Sequence, residues 1–397
     1  MPPADTGATV LILGGGAAGL STAGALAERG IAATVIEQDD HIGGSWSRRY
    51  RHLRLHTTRR YSGLAHYPIP PDRPRYLTRD DYAAYLREYA RALKVDIAFG
   101  ERVLAVRRIT DTVEGTGWEV ETSKAVRRAP VVVIATGLYA KPYVPHFEGI
   151  DRFAGDLRHS SDYDTPAEFA GRKVLVIGLG NSGAEIAADL ATHGAAAVSV
   201  SVRTPPPIVS RELLGIVPVQ LLGIALTPLG APGLLDRIGA AMRRVSIGNL
   251  APYGLAEAAW GPFSAHRPAV IDTGFVSQLK QGHIRVRPDV AHFESNEVVF
   301  IDGSRDAVDT VIAATGFRTG LEKIIQVPGL IDAQGNLRPP SPGGPTPAQG
   351  LYFVGFTETV RGQLFEINRE SRQVAAEIES RINKSNENKP GSDPGFP

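Results

Sequence analysis

"LILGGGAAGLSTAGAL", residues 11–26, and "VIGLGNSGAEIAADL", residues 176–190, are two versions of one phrase, and the fold turns on reading them together. Each predicts an apolar strand, a Gly-rich turn and a small-residue helix, the unit that sets a pyrophosphate over exposed backbone N–H groups at the positive end of a helix. In the first copy the strand Val10–Leu13 runs into Gly14, and Gly16 and Gly19 complete G-x-G-x-x-G before a helix that should stop near Gly30. The glycines have separate tasks. Gly14 allows the tight turn, Gly16 lets phosphates approach the backbone, and Gly19 lets helix and strand pack closely. A second strand, Ala33–Ile36, ends in Glu37, the acidic residue expected roughly 20 positions on to hold a pair of ribose hydroxyls.

In the second copy Lys173–Ile177 is the strand, Gly178, Gly180 and Gly183 form the turn, and a helix over 181–193 ends at Gly194. The next strand, "AVSVSVR", alternates strictly and finishes at Arg203, so a base stands where the first copy has an acid. A carboxylate repels a 2′-phosphate that a guanidinium grips bidentately, and the second site should therefore prefer NADPH to NADH. The plainer reading of Arg203 is an exposed charge at a strand end. One such turn is weak evidence. Two complete strand, turn and helix contexts, with opposite charge at the ribose position, specify an α/β protein with two Rossmann-like dinucleotide-binding domains.

Composition narrows the function. The 397 residues, 43% hydrophobic and 21% charged, suit a two-domain globular chain with a large core. A net charge of +1 argues against nucleic acid as a partner; only "RRYRHLRLHTTRRY", residues 48–61, is locally basic, and it follows "HIGGSW" directly after the first nucleotide unit, where phosphate contacts are expected. No charged and apolar leader precedes the first strand, which predicts a cytoplasmic location. The uncharged run 213–235 is long enough for a membrane span, but Pro218, Pro228 and Pro232 with Gly215, Gly223, Gly230 and Gly233 break it. It reads instead as a broken apolar lid or channel wall, with peripheral membrane contact as a further option. The chain has no cysteine, so it cannot pass electrons to a redox-active disulfide, hold an iron–sulfur cluster through cysteine or use a thiolate nucleophile. Electrons reaching a flavin must leave to oxygen, a diffusible acceptor or another protein. No His/Asp/Glu cluster shows metal-ligand spacing, and no metal is expected.

Further along, "LTRDDYAAYLREYARAL" predicts a helix capped by Thr78, with Asp80 and Asp81 in its first turn and Tyr82, Tyr85, Leu86, Tyr89 and Leu93 on its core face. Residues 97–106 and "GWEVET" read as strands of an antiparallel insert. "VVVIATG", residues 131–137, and "TVIAATG", residues 310–316, are near copies in which an apolar strand ends in small residues that allow close approach by a backbone or cofactor. A Pro/Gly-rich loop, "PPSPGGPTP", then leads to the strand "GLYFVG" and a last helix from Gln363 to about Ile382, whose start at Gln363 and Leu364 should face the first domain. A helix N-terminus there would stabilise negative charge on a reduced flavin; packing alone is the alternative.

Between the two units lies "FAGDLRHSSDY", residues 153–163, which matches F-x-G-x-x-x-H-x-x-x-(Y/F), the identifying motif of class B flavin-dependent monooxygenases. Tyr163 resembles the flavin-containing monooxygenase form more than the Baeyer–Villiger form, which prefers Pro or Trp there. "RYRHLRLHTTRRYSGL", "VSVRTPPPIVSRELLG", "PAVIDTG", "VDTVIAATGF" and "GLYFVGFTE" are similar to their counterparts in the plant YUCCA branch and its bacterial relatives, so the resemblance spans almost the whole chain.

The resemblance implies a three-layer ββα/βαβ flavoprotein with FAD as prosthetic group and NADPH as reductant. It implies an FAD-binding domain over 1–163 and 318–383 and an NADPH-binding domain over 164–317; the apolar segment at 207–265 of the latter reads as the lid, and the stretch 384–397, too poor in apolar residues to fold, reads as a disordered tail. Gly14, Gly16, Gly19, Glu37, Gly44 and Trp46 fall on FAD-binding positions, with Ala18, Gln38, His56, Thr57, Val103, Thr136, Gly137 and Gln363 as further contacts. Gly178, Gly180, Asn181, Ser182, Gly183 and Arg203 fall on NADPH positions, joined by Thr204, Ala314 and Thr315. The implied catalytic set is His56, His159 and Asn181. His159 lies in the interdomain link, and His56 stands where animal-type enzymes carry Asn beside the flavin; the YUCCA branch also has His there. The implied reaction is hydride transfer from NADPH to FAD, then O₂ activation as a C4a-(hydro)peroxyflavin shielded from water.

The expected partners are O₂ and a small organic substrate, oxygenated at nitrogen or sulfur, or an aryl 2-oxo acid undergoing oxidative decarboxylation. A 2-oxo acid needs a cation, for which Arg211, Arg267, Arg361 and Arg369 are available. A homodimer is compatible with the sequence. The competing function is an NADPH-dependent flavoprotein reductase serving a ferredoxin-like partner, but that class lacks the F-x-G-x-x-x-H link and wants a clustered basic docking face. A non-catalytic nucleotide-binding regulator would have lost Glu37 or a turn glycine, and neither is lost.

Overall fold

The computed structural model describes residues 10–112, 115–332, 334–338 and 349–387. Two five-stranded parallel sheets form its frame. In the first, Leu351–Phe353, Val131–Ile134, Val10–Leu13, Ala33–Ile36 and Asp96–Ala98 lie side by side in that order. In the second the order is Ile284–Arg287, Ala197–Ser201, Lys173–Ile177, Thr310–Ala313 and Asp156–His159. The expected two-unit α/β architecture is what the chain adopts.

Strand alternation builds three layers around each sheet, because a parallel strand is buried on both faces. Val10 and Ile12 point into a core shared with the helix Ala17–Ala27, the tyrosine-rich helix Arg79–Leu93 and the last helix Gln363–Glu387. Leu11 and Leu13 point the other way, against Trp118 and Val120 of a three-stranded antiparallel sheet made by Val103–Thr112, Gly115–Thr122 and Val126–Ala129. The second unit repeats the plan. Val174 and Val176 meet the helix Asn181–Thr192, while Leu175 and Ile177 meet Phe293, Val298 and Phe300 of a second antiparallel sheet.

Thr78 caps the tyrosine-rich helix as its sequence predicts: its Oγ1 accepts from the Asp81 N–H at 3.1 Å, and Asp81 accepts from the Thr78 N–H at 3.0 Å. Four boundaries differ from expectation. Asp96–Ala98 is not part of the antiparallel insert but the fifth parallel strand, beside Ala33–Ile36, and the insert starts only at Val103. Asp156–His159 pairs with Thr310–Ala313, so the second sheet takes its edge strand from upstream of residue 164. The helix after Asn181 ends at Thr192, with His193 as its C-cap. The last helix runs to Glu387, past the 384 start of the expected disordered tail, and 388–397 lie outside the described residues, as do 1–9 and the "PPSPGGPTP" loop. No helix among the described residues is long and apolar enough to cross a membrane.

Candidate active site

Both Gly-rich turns open onto one cleft of about 1940 Å³. At the first, Gly14 has φ of 109°, and a Cβ there would lie 2.5 Å from the Ala135 carbonyl oxygen. At the second, Gly178 has φ of 103° and a Cβ would lie 2.6 Å from the Ala314 oxygen. Each turn is thus wedged against the Ala-Thr-Gly segment that ends the neighbouring strand, which explains why that segment occurs twice. A Cβ on Gly19 or Gly183 would strike the backbone oxygen of Gly14 or Gly178, so these two serve helix–strand packing. Gly16 and Gly180 are different: a Cβ on either meets nothing within 4 Å and would project into open space.

These surroundings suit a dinucleotide at each turn. Neither helix has a side-chain cap, so its first N–H groups remain free for an anion. Thr136 Oγ1, shut off from solvent beside the first turn, has no hydrogen-bond partner among the described residues. Glu37 accepts from the Gly15 N–H at 2.6 Å and the Asp39 N–H at 2.8 Å, and each oxygen keeps a lone pair for a ribose hydroxyl. Burial pushes its carboxyl up from the usual range, while those N–H groups pull it down. At the matching place in the second unit Arg203 is exposed in the cleft and makes no ion pair among the described residues. Thr204 is exposed beside it.

The cleft also collects Ala18, Gln38, Gly44, Trp46, His56, Thr57, Val103, Gly137, Asn181, Ser182, Thr315 and Gln363. Of the site residues expected from sequence, only Gly19 and His159 fail to line it. Trp46 packs edge-on against Tyr82, with ring centres 4.6 Å apart. Asn181 Oδ1 accepts from the Ile271 N–H at 2.8 Å, tying the second turn to the strand Val270–Asp272. Gln363 donates to the Gly355 carbonyl at 3.2 Å, and a Cβ on Gly362 would lie 2.5 Å from Thr57 Cγ2, so the last helix begins against the loop that carries His56.

That loop meets the second unit through a carboxylate the sequence reading passed over. Glu185, one turn into the helix Asn181–Thr192, pairs with His56 Nε2 through one oxygen and accepts from the Tyr50 hydroxyl through the other. Glu185 is almost buried, and burial with the nearby carboxylate pushes the Tyr50 hydroxyl well above its ordinary pKa. Arg49 was also missed. It lines the cleft with its guanidinium over the rings of Tyr139 and Phe317, at 5.6 and 5.3 Å, and makes no ion pair among the described residues.

His159 is buried directly behind the cleft lining, with both ring nitrogens engaged by Ser161 and Gly316, which do line the cleft. Nε2 donates to the Gly316 carbonyl at 2.9 Å and Nδ1 accepts from the Ser161 N–H at 3.1 Å, an arrangement that suits the neutral ring. It therefore joins the linking strand to the second Ala-Thr-Gly segment. Burial holds its pKa below the ordinary value; Gly316 and Asp162 oppose that, and Arg49 adds to it. A proton added at Nδ1 would remove the acceptor for Ser161, so the folded chain binds this proton less well than the unfolded one. The His159 contribution to stability is complete above about pH 6.5 and is lost as pH falls through the depressed folded value. Urea unfolding of wild type and His159→Gln across this window should show a smaller acid loss in the variant.

Residues of the segment 207–265 also line the cleft. Gln220, 5% exposed, accepts from the Thr58 N–H at 3.0 Å and donates to the Arg361 carbonyl at 2.9 Å, fastening the helix Val219–Leu226 to the first unit. Leu213, Leu222 and Leu226 face the cleft, whereas Leu214, Ile216, Leu229 and Leu234 are exposed. Of the four arginines considered for a substrate carboxylate, only Arg267 lines the cleft, stacked on Trp260 at 4.9 Å. Arg211 instead stacks on Tyr76, and Arg369 pairs with Glu366.

The chain matches the family model described as flavin-binding monooxygenase-like over residues 7–322. It is 36% identical over 377 residues to indole-3-pyruvate monooxygenase YUCCA1 of Oryza sativa subsp. japonica, covering 93% of this chain and 90% of that one. It is 31% identical over 385 residues to the probable indole-3-pyruvate monooxygenase YUCCA3 of Arabidopsis thaliana, covering 94% and 86%. A flavin-containing monooxygenase from Stenotrophomonas maltophilia shares the fold with a TM-score of 0.71 at 23% identity, over 94% of this chain and 98% of that one. The chain belongs to the flavin-binding monooxygenase-like family and is a flavin-dependent monooxygenase.

Proposed function

We propose that the protein uses NADPH and O₂ to convert an aryl 2-oxo acid to the carboxylic acid one carbon shorter. The balance is 2-oxo acid, O₂, NADPH and a proton giving acid, CO₂, water and NADP⁺. The observation that carries this reading is the cleft joining two uncapped Gly-rich turns, one edged by Glu37 and the other by Arg203, which makes no ion pair among the described residues. FAD, held at the first turn through Gly14, Gly16, Glu37, Gly44 and Thr136, would supply the two-electron carrier that takes hydride and activates oxygen. NADPH would lie along Gly178, Gly180, Asn181 and Ser182 with its 2′-phosphate at Arg203 and Thr204.

The substrate class follows from the lid end of the cleft and from the named activity of the curated relatives. Trp260 and Phe263 offer aromatic faces, and Arg267, with no ion pair among the described residues, offers a guanidinium for the carboxylate. Incubation with phenylpyruvate under ¹⁸O₂ should put one labelled atom into phenylacetate, and Arg267→Ala should raise the KM for phenylpyruvate about tenfold while sparing the KM for NADPH. Label only in peroxide and water would reject the reading.

In this scheme Glu185 positions His56 from across the domain boundary. Its carboxylate fixes Nε2 and sets the ring's orientation in the cleft. Glu185→Gln keeps the volume and removes the charge; it should retain flavin yet release several-fold more hydrogen peroxide per NADPH oxidised, read by a coupled peroxidase assay.

A further inference from the structure

One helical turn beyond Glu185, the same contact between the two units holds a second cluster. Asp189 Oδ1 lies 2.8 Å from His52 Nδ1 and 2.9 Å from His193 Nδ1. One ligand atom from each of the three residues falls within 4.8 Å of the others, and the two imidazole rings are 5.3 Å apart. We propose that His52, Asp189 and His193 form a binding site for a divalent transition metal of the zinc class, which clips the loop bearing Tyr50 and His56 to the helix bearing Glu185.

The donor set suits that class. Two imidazole nitrogens and one carboxylate oxygen favour Zn²⁺, Co²⁺ or Ni²⁺ over Mg²⁺ or Ca²⁺, which prefer all-oxygen shells. Metal–ligand distances of about 2.0–2.2 Å in a tetrahedron place the donors roughly 3.3 Å apart; the two Asp189 contacts, at 2.8 and 2.9 Å, have to open by about half an ångström, and the two histidine donors, within 4.8 Å of each other, have to settle to the same spacing. Asp189, with 10% of its side chain exposed, is the fixed member. Its Oδ2 accepts from the Tyr163 hydroxyl at 2.7 Å, the kind of outer contact that orients a ligating carboxylate. The histidines are about half exposed, which leaves a route for the ion and a remaining position for water.

The cluster joins distant parts of the chain. His52 comes from the loop after the first nucleotide unit, and Asp189 is 137 residues away; Asp189 and His193 stand one turn apart on the helix of the second unit. Without metal, shared protons can hold the same three groups together. His193 Nδ1 also approaches the Asp189 carbonyl at 2.9 Å and must give up that contact to bind.

The test uses the flavin-loaded enzyme, freed of metal by EDTA and gel filtration, titrated with Co²⁺ and with Zn²⁺. The expected result is one equivalent bound per chain, with visible Co²⁺ bands of a four- or five-coordinate site that Zn²⁺ displaces, and a zinc-dependent rise in Tm. His52→Ala and His193→Ala, both at exposed positions, should each abolish the bands and the rise while keeping the flavin content of wild type. Tyr163→Phe should weaken binding about tenfold. Absence of stoichiometric binding, or equal binding in either histidine variant, would overturn the proposal and leave a hydrogen-bonded clasp.

Discussion

Replacing Arg203 with alanine should raise the KM for NADPH about 30-fold or more and leave the KM for NADH nearly unchanged. The side chain stands exposed in the cleft with no carboxylate to neutralise it among the described residues, so its charge is available to a ligand. A charge-assisted hydrogen bond is worth about 1.5–3 kcal/mol, and every 1.4 kcal/mol is a factor of about ten in affinity. NADH has no 2′-phosphate and gains nothing from the guanidinium. Steady-state flavin reduction with both nucleotides measures the ratio directly. Equal weakening of the two would place the phosphate elsewhere.

The largest effects belong to the middle glycines, which can be separated from the glycines the fold needs. A Cβ at Gly16 or Gly180 meets nothing within 4 Å, so Gly16→Val and Gly180→Val should both yield folded protein with the circular dichroism of wild type. Their defects should differ. The Gly16 variant is expected to purify without flavin, because the valine fills the space through which the FAD pyrophosphate reaches the helix end. The Gly180 variant should retain flavin and lose reduction by NADPH by more than about a hundredfold, while dithionite still reduces it. Gly14→Ala provides the contrast: positive φ and a Cβ 2.5 Å from the Ala135 oxygen should prevent proper folding of the first unit itself.

The sequence carried the frame because the frame is made of local signals. An apolar run stopped by glycine marks Val10–Leu13 and Lys173–Ile177, and a capping threonine followed by two aspartates marks the start of Arg79–Leu93. Non-local choices were less legible. Asp96–Ala98 is short, begins with a charge and finds its sheet only through Ala33–Ile36, so nothing within it distinguishes parallel from antiparallel pairing. The same holds for Asp156–His159, whose motif draws attention to the histidine while its backbone supplies a sheet edge.

At the site, the two Gly-rich turns, Glu37 and Arg203, which line one cleft, were readable because they follow strand ends by fixed spacing. The cross-domain partners were not. Glu185 looks like any polar position on a helix until His56 and Tyr50 are brought to it from more than a hundred residues away. Asp189 and His193 did carry a signal, an acid and a histidine four apart on one helix face, but His52 completes the cluster only in three dimensions. Arg49 was hidden in a basic stretch where no single arginine stands out; the aromatic walls of Tyr139 and Phe317 come from the two Ala-Thr-Gly junctions.

The handover of electrons from NADPH through a flavin to oxygen, with one oxygen atom ending in an organic product, is the step on which the proposed function rests. It is tested most directly by mixing the anaerobic, NADPH-reduced enzyme with oxygenated buffer in a stopped-flow spectrometer. Reoxidation is expected in two steps, with an oxygenated flavin that persists while NADP⁺ is bound and decays faster when an aryl 2-oxo acid is present. A single-step return to oxidised flavin, with one peroxide released per NADPH whether or not the 2-oxo acid is added, would contradict it.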